Sequence, residues 1–144
     1  MLDKVARGLA LFINWVNGIC AVVCGGFMML GGLGVLSGEM ADFMPLSIYD
    51  NFPLHDVFFT SHFWPGLALM LVNGVANIVA LILRFRGNRV ASYQWGIVAG
   101  ALLIVWTGVE MIFIPNGLSV AYAIIGVAQL AAAWWALRTW NVCA

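Results

Sequence analysis

The sequence contains very little charge. Only 8% of its 144 residues are charged, and six basic side chains balance six acidic ones. A soluble globular domain is about 25% charged, and binding to nucleic-acid phosphate relies on an excess of positive charge. The composition therefore excludes a soluble enzyme, a nucleic-acid binder and a disordered segment.

Hydrophobic residues, at 64% of the chain, form four long stretches. A bilayer core of about 30 Å needs about 20 apolar residues per helix, and these runs are continuous rather than alternating, which favours helices over a barrel. We predict an all-α membrane protein, an antiparallel bundle of four transmembrane helices forming a single domain over residues 1–144. The predicted helices cover about 9–36, 63–83, 90–114 and 118–137, with a loop at 38–62 between the first two.

The basic residues predict the orientation of this bundle. In the predicted topology all six lie at one end: Lys4, Arg7, Arg84, Arg86, Arg89 and Arg138. Cytoplasmic loops accumulate lysine and arginine, so both termini are predicted inside and the 38–62 loop outside.

Residues Met1–Gly26 begin like a signal peptide, but the apolar run is too long and lacks a cleavage site. We expect this segment to be retained as the first helix.

Glu110 is the main candidate for function, because an acidic side chain is costly in lipid and usually faces protein or a water-filled cavity. It lies four residues after Trp106, on the same helix face. It is a candidate for handling protons or cations, or for anchoring a cationic ligand. Alternatively, it is hydrated near the headgroups or hydrogen-bonded to Trp106 or Tyr122.

Asparagines form two pairs at helical spacing. Asn73 and Asn77 share one face of the second helix, and Asn14 and Asn17 lie three residues apart on the first. Such amides either line a polar path or join helices by hydrogen bonds, and the second interpretation is favoured. Gln129, on the fourth helix, is interpreted as isolated.

The loop contains both histidines. His55 and His62, with Asp56, are candidate metal ligands, because imidazole and carboxylate bind zinc and similar ions. Their spacing matches no recognised metal motif, and an amphipathic segment lying at the membrane interface explains the same residues. No cofactor is predicted.

Small residues recur at four-residue spacing in the last two helices. Gly96 and Gly100 form a GxxxG pattern, and Ala128, Ala132 and Ala136 follow the same spacing. Small residues allow two helix backbones to approach closely. Tight packing is expected, either within one chain or between chains.

Three segments carry a resemblance: MPLSIYDNFPLHDVFFTSHFWPGLALMLVNGVANIVAL, GALLIVWTGVEM and YAIIGVAQLAAAWW. Over roughly residues 44–135 the chain is similar to small bacterial membrane proteins that have no assigned activity. The resemblance implies a location in the bacterial cytoplasmic (inner) membrane and a four-helix architecture.

The functional expectation is an accessory, sensing, or lipid- or small-molecule-binding bundle. The alternative is a small oligomeric transporter or channel that uses Glu110, with Asn73 and Asn77 lining a polar path. An intramembrane enzyme is less favoured and would need a polar partner for Glu110, such as His62. The expected partners are the lipid bilayer and either further copies of the chain or a larger membrane complex.

Overall fold

A computed structural model describes residues 2–36 and 45–143, the last three by their helical backbone alone. Over these residues the chain is helical and contains no strand. Four helices are long and apolar enough to cross a membrane. Their bounds are α1, Leu2–Gly32; α2, Phe63–Phe85; α3, Arg89–Phe113; and α4, Gly117–Cys143.

The helices run alternately up and down. Short turns join α2 to α3 and α3 to α4, so these neighbours are antiparallel. The Trp135 indole, late in α4, donates to Asp3 at the start of α1, with N and O 3.1 Å apart. The N-terminal part of α1, the α2–α3 turn and the C-terminal part of α4 therefore share one end, which carries all six basic residues. We call it the basic end, and the opposite end the loop end.

Two helices extend further than the sequence predicted. The prediction began the first helix at about 9 and ended the fourth at about 137, whereas α1 begins at Leu2 and α4 ends at Cys143. The prediction marked only the apolar part of each helix, but Lys4, Arg7 and Arg138 are good helix formers and continue the helix beyond it. At its other end α1 stops at Gly32 rather than at 36, because Gly34 adopts a φ of 73°.

The connection between α1 and α2 is only partly described. A 3₁₀ turn forms over Leu46–Tyr49 and a short helix over His55–Phe58. The first part of the predicted 38–62 loop, with Glu39 and Asp42, lies outside the described residues. The described part packs on the bundle, since the rings of Phe52 and Phe113 approach to 4.7 Å between centroids.

Large apolar side chains point outward along the spans. Phe12, Val105 and Ile124 are 63%, 65% and 65% exposed. The interior instead contains alanines and amides, among them Ala80, Ala99 and Ala133, which have no exposed surface. This inverted distribution is expected when lipid rather than water surrounds the helices.

Glycines bring the helices together in two pairs. A Cβ added at Gly25 would lie 2.7 Å from the Gly66 carbonyl oxygen, at the crossing of α1 with α2. A Cβ at Gly100 would lie 2.8 Å from the Leu130 nitrogen and 2.9 Å from the Gly126 oxygen, where α3 crosses α4. The GxxxG glycines of α3 therefore pack within the chain, and Gly96 faces Ala133 in the same interface.

We predict that Gly100→Ala destabilises the bundle, because the new methyl group would meet backbone atoms that cannot rotate away. The expected loss is about 1–3 kcal/mol of unfolding free energy, measured by thermal or SDS-induced unfolding in detergent. Gly108→Ala is the matched control, since a Cβ there meets nothing within 4 Å. Equal stability of the two variants would contradict the close α3–α4 crossing.

Candidate functional site

An amide network occupies the interior of the bundle, with Gln129 at its centre. The Gln129 Nε2 donates to Asn14 Oδ1 at 2.7 Å and to Asn77 Oδ1 at 2.6 Å. Its Oε1 accepts a longer bond from Asn17 Nδ2, at 3.4 Å. One side chain of α4 is thus bonded to both α1 and α2. Asn77 and Gln129 have no exposed surface, so these bonds replace water.

Asn73 joins the network from an irregular part of α2. Residues Met70–Val75 form a π-helical segment, in which the regular i→i−4 bonding is interrupted. The Asn77 Nδ2 donates to the Asn73 carbonyl at 2.6 Å and lies 3.3 Å from its Oδ1. Asn77 therefore supports its own helix while its oxygen bonds to Gln129. The Asn77 side chain thus donates a hydrogen bond to a backbone carbonyl in the π-helical segment, where the regular backbone hydrogen bonds are interrupted.

The prediction that Gln129 is isolated is wrong. It appears isolated in the sequence because no second amide follows it at helical spacing along α4. Its partners lie on α1 and α2, and the register between helices is not encoded in the spacing within one helix. The Asn14–Asn17 and Asn73–Asn77 pairs were visible because each shares a face of one helix.

Glu110 lies near the loop end of α3, partly exposed, and accepts two hydrogen bonds. The indole of Trp106 donates to Oε1 at 2.7 Å, and the hydroxyl of Ser119 donates to Oε2 at 3.0 Å. Trp106 lies one turn earlier on the same helix, whereas Ser119 belongs to α4. A carboxylate offers about four lone-pair positions, so further donors can approach the same group.

The start of α4 positions Ser119. The Asn116 Oδ1 accepts from the Ser119 backbone N–H at 2.8 Å, which caps the first turn. The Ser119 side chain is buried and directed at Glu110. The carboxylate thus lies beside the N-terminal turn of α4, where the helix dipole favours negative charge. The Asn116-Gly117-Leu118-Ser119 order is a capping signal that could have identified Ser119 in the sequence.

Aromatic rings from the loop cover this end of the bundle. Tyr49 stacks on Phe59 at 4.7 Å, and Phe52 contacts both Phe59 and Phe113. We call Tyr49, Phe52, Phe59 and Phe113 the aromatic cap. Burial raises the pKa of Tyr49 to about 12, and the nearby charge of Glu110 adds to the shift. Phe113 lies three residues after Glu110 on the same face of α3, so the cap and the carboxylate adjoin one another.

The three candidate metal ligands are placed differently from one another. His55 and Asp56 form a pair at the surface, with N and O 2.9 Å apart and the Asp56 side chain 87% exposed. His62 is buried at the start of α2. Among the residues that the structure describes, no three His, Cys, Asp or Glu side chains converge as metal ligands would.

Comparison of the chain with models of protein families, with curated proteins and with solved structures finds no match.

Proposed function

We propose that this chain is a membrane-embedded binding module whose ligand is a small amphipathic cation. The observation that carries the proposal is Glu110: a carboxylate within a membrane-spanning helix, held by Trp106 and Ser119 and adjacent to the aromatic cap. Placing an acidic side chain within a membrane-spanning helix costs free energy, which marks Glu110 as a functional candidate.

The surroundings of Glu110 favour a cation with an apolar body. Its carboxylate supplies negative charge, and Trp106, one turn earlier on α3, supplies an aromatic ring of the kind that attracts positive charge at short range. The side chains that share the Glu110 face of α3 include the partly exposed aromatic rings of Trp106 and Phe113. A ligand entering from the lipid would place its charged group at Glu110 and its apolar part against these side chains.

The interior of the bundle supports binding rather than conduction. The transporter alternative assigned a polar path to Asn73 and Asn77, but their amides bond to each other and, through Asn77, to Gln129. Both asparagines are buried. Opening a path would break these bonds, so a transporter would require an oligomer or a rearranged bundle.

The charge distribution supports an orientation, and the resemblance of roughly residues 44–135 to small bacterial membrane proteins supports a location. We propose a bacterial cytoplasmic membrane in which the basic end faces the cytoplasm and Glu110 lies near the outer surface.

Cysteine labelling tests this orientation. A single cysteine is placed at Asp56 or at Arg86 in a variant in which the native cysteines are replaced by serine. An impermeant maleimide should label Asp56→Cys on intact cells and Arg86→Cys only after lysis. Labelling of both from the same side would contradict this orientation.

The binding proposal predicts that Glu110→Gln loses affinity for tetraphenylphosphonium, an amphipathic cation that serves as the probe. Removing the charge while keeping the shape should weaken binding at least about ten-fold, equivalent to about 1.4 kcal/mol. The measurement is equilibrium dialysis of the purified protein in detergent. Asp56→Asn is the matched control, because it removes an exposed acidic group at the same end.

Unfolding curves of both variants establish that the bundle is intact. Saturable binding that is equal in the parent and in Glu110→Gln would place the ligand elsewhere. If the parent shows no saturable binding, the proposed ligand class is wrong.

A further inference from the structure

Two arginines converge on one indole at the basic end. The Cζ of Arg7, on α1, lies 5.1 Å from the ring centroid of Trp140, and the Cζ of Arg89, at the start of α3, lies 4.8 Å from it. Trp140 belongs to α4, so three helices meet here. We propose that Arg7, Arg89 and Trp140 form a binding site for a phosphate group, which we call the arginine site.

The arginine site has positive charge that the described chain does not neutralise. Within residues 2–36 and 45–140, no carboxylate forms an ion pair with either arginine. Asp3, the acidic residue nearest in sequence to Arg7, accepts the hydrogen bond from Trp135. The Nε of Arg7 is buried and has no hydrogen-bond partner among the described residues. Two like charges that have no carboxylate in ion-pair contact among the described residues are a destabilising arrangement that an anion would relieve.

Helix ends do not supply that counter-charge. The C-terminus of α4 near Trp140 contributes about half a negative charge, but the N-terminus of α3 at Arg89 contributes about half a positive one. A cation in the first turn of a helix is unfavourable unless an anion lies nearby. Within the part of the chain that the structure describes, the two guanidinium charges therefore remain in excess.

The other four basic side chains either contact a different aromatic residue or are exposed. The Nη1 of Arg84 donates to the Tyr93 hydroxyl at 2.9 Å, and Arg138 lies over Trp134, at 4.2 Å. Lys4, Arg86 and Arg89 are all exposed, but of these three, among the described residues, only Arg89 lies over an aromatic ring. Convergence on a shared ring thus distinguishes Arg7 and Arg89 from the general positive charge of this end.

Phosphate is the anion that neighbouring guanidinium groups recognise best. The Cζ atoms of Arg7 and Arg89 lie 5.1 Å and 4.8 Å from the same ring centroid, so the two guanidinium groups lie within roughly 10 Å of each other. The planar fork of arginine bonds two phosphate oxygens at once. Tryptophan near the end of a transmembrane helix lies at headgroup level, where lipid phosphates are found. The phosphate group could belong to an anionic lipid or to a soluble phosphate compound.

The test measures retention of dioleoylphosphatidylglycerol and of dioleoylphosphatidylcholine by the purified protein, using native mass spectrometry. The parent should prefer the anionic lipid. Arg7→Gln with Arg89→Gln should reduce its binding about ten-fold, and Arg86→Gln with Lys4→Gln, which removes the same charge from exposed positions, less than two-fold. Arg7→Lys with Arg89→Lys keeps the charge but loses the fork, so it should also weaken binding.

Inorganic phosphate, added as a competitor, distinguishes the two sources. Displacement of the anionic lipid by millimolar phosphate would assign the site to soluble phosphates, and no displacement would assign it to the lipid headgroup. Melting temperatures identify any variant that fails to fold. If the glutamine variant of the arginine site does not fold, the loss of lipid binding is measured in Arg7→Lys with Arg89→Lys instead. Equal losses in the arginine-site pair and the exposed pair would overturn the proposal, as would a parent that binds neither the lipid nor phosphate.

Discussion

The hydrogen bonds of Gln129 are the constraint on which the rest of the structure depends. In lipid, burial of apolar surface does not drive helices together, so association relies on close packing and on interhelical hydrogen bonds. An amide left unbonded in this interior would cost several kcal/mol. Because Gln129 is bonded to Asn14 and Asn77, α1, α2 and α4 are held in one register. In this register Gly25 of α1 meets Gly66 of α2, and a separate close contact between Gly100 and Gly126 joins α3 to α4.

A closed interior places the chemistry at the two ends of the bundle. At the loop end, Glu110 offers negative charge beside aromatic rings, and at the basic end Arg7 and Arg89 offer positive charge beside Trp140. Each end is completed by residues from several helices. The network between them aligns α1, α2 and α4, and α3 packs on α4 at Gly100, so a change in this packing would alter both ends together.

The sequence predicted the helices well and the contacts between them poorly. Length and apolarity identify a span regardless of its neighbours, which is why four helices could be placed from composition. The ends were less accurate, because Lys4 and Arg138 extend a helix beyond its apolar part. Glu110 was identifiable because acids are rare in lipid, but Ser119 and Tyr49 were missed. Their relation to Glu110 depends on how α4 and the loop fold back.

Exchange of the Gln129 side-chain amide with solvent tests the central claim most directly. The NMR signals of Gln129 and Gln94 can be compared in labelled protein in detergent after transfer to deuterated water. Gln94 is exposed on α3 and should exchange rapidly. If the network is dry and bonded, the Gln129 amide should exchange much more slowly, only when the bundle opens. Exchange of Gln129 as fast as that of Gln94 would show a hydrated interior and contradict the account.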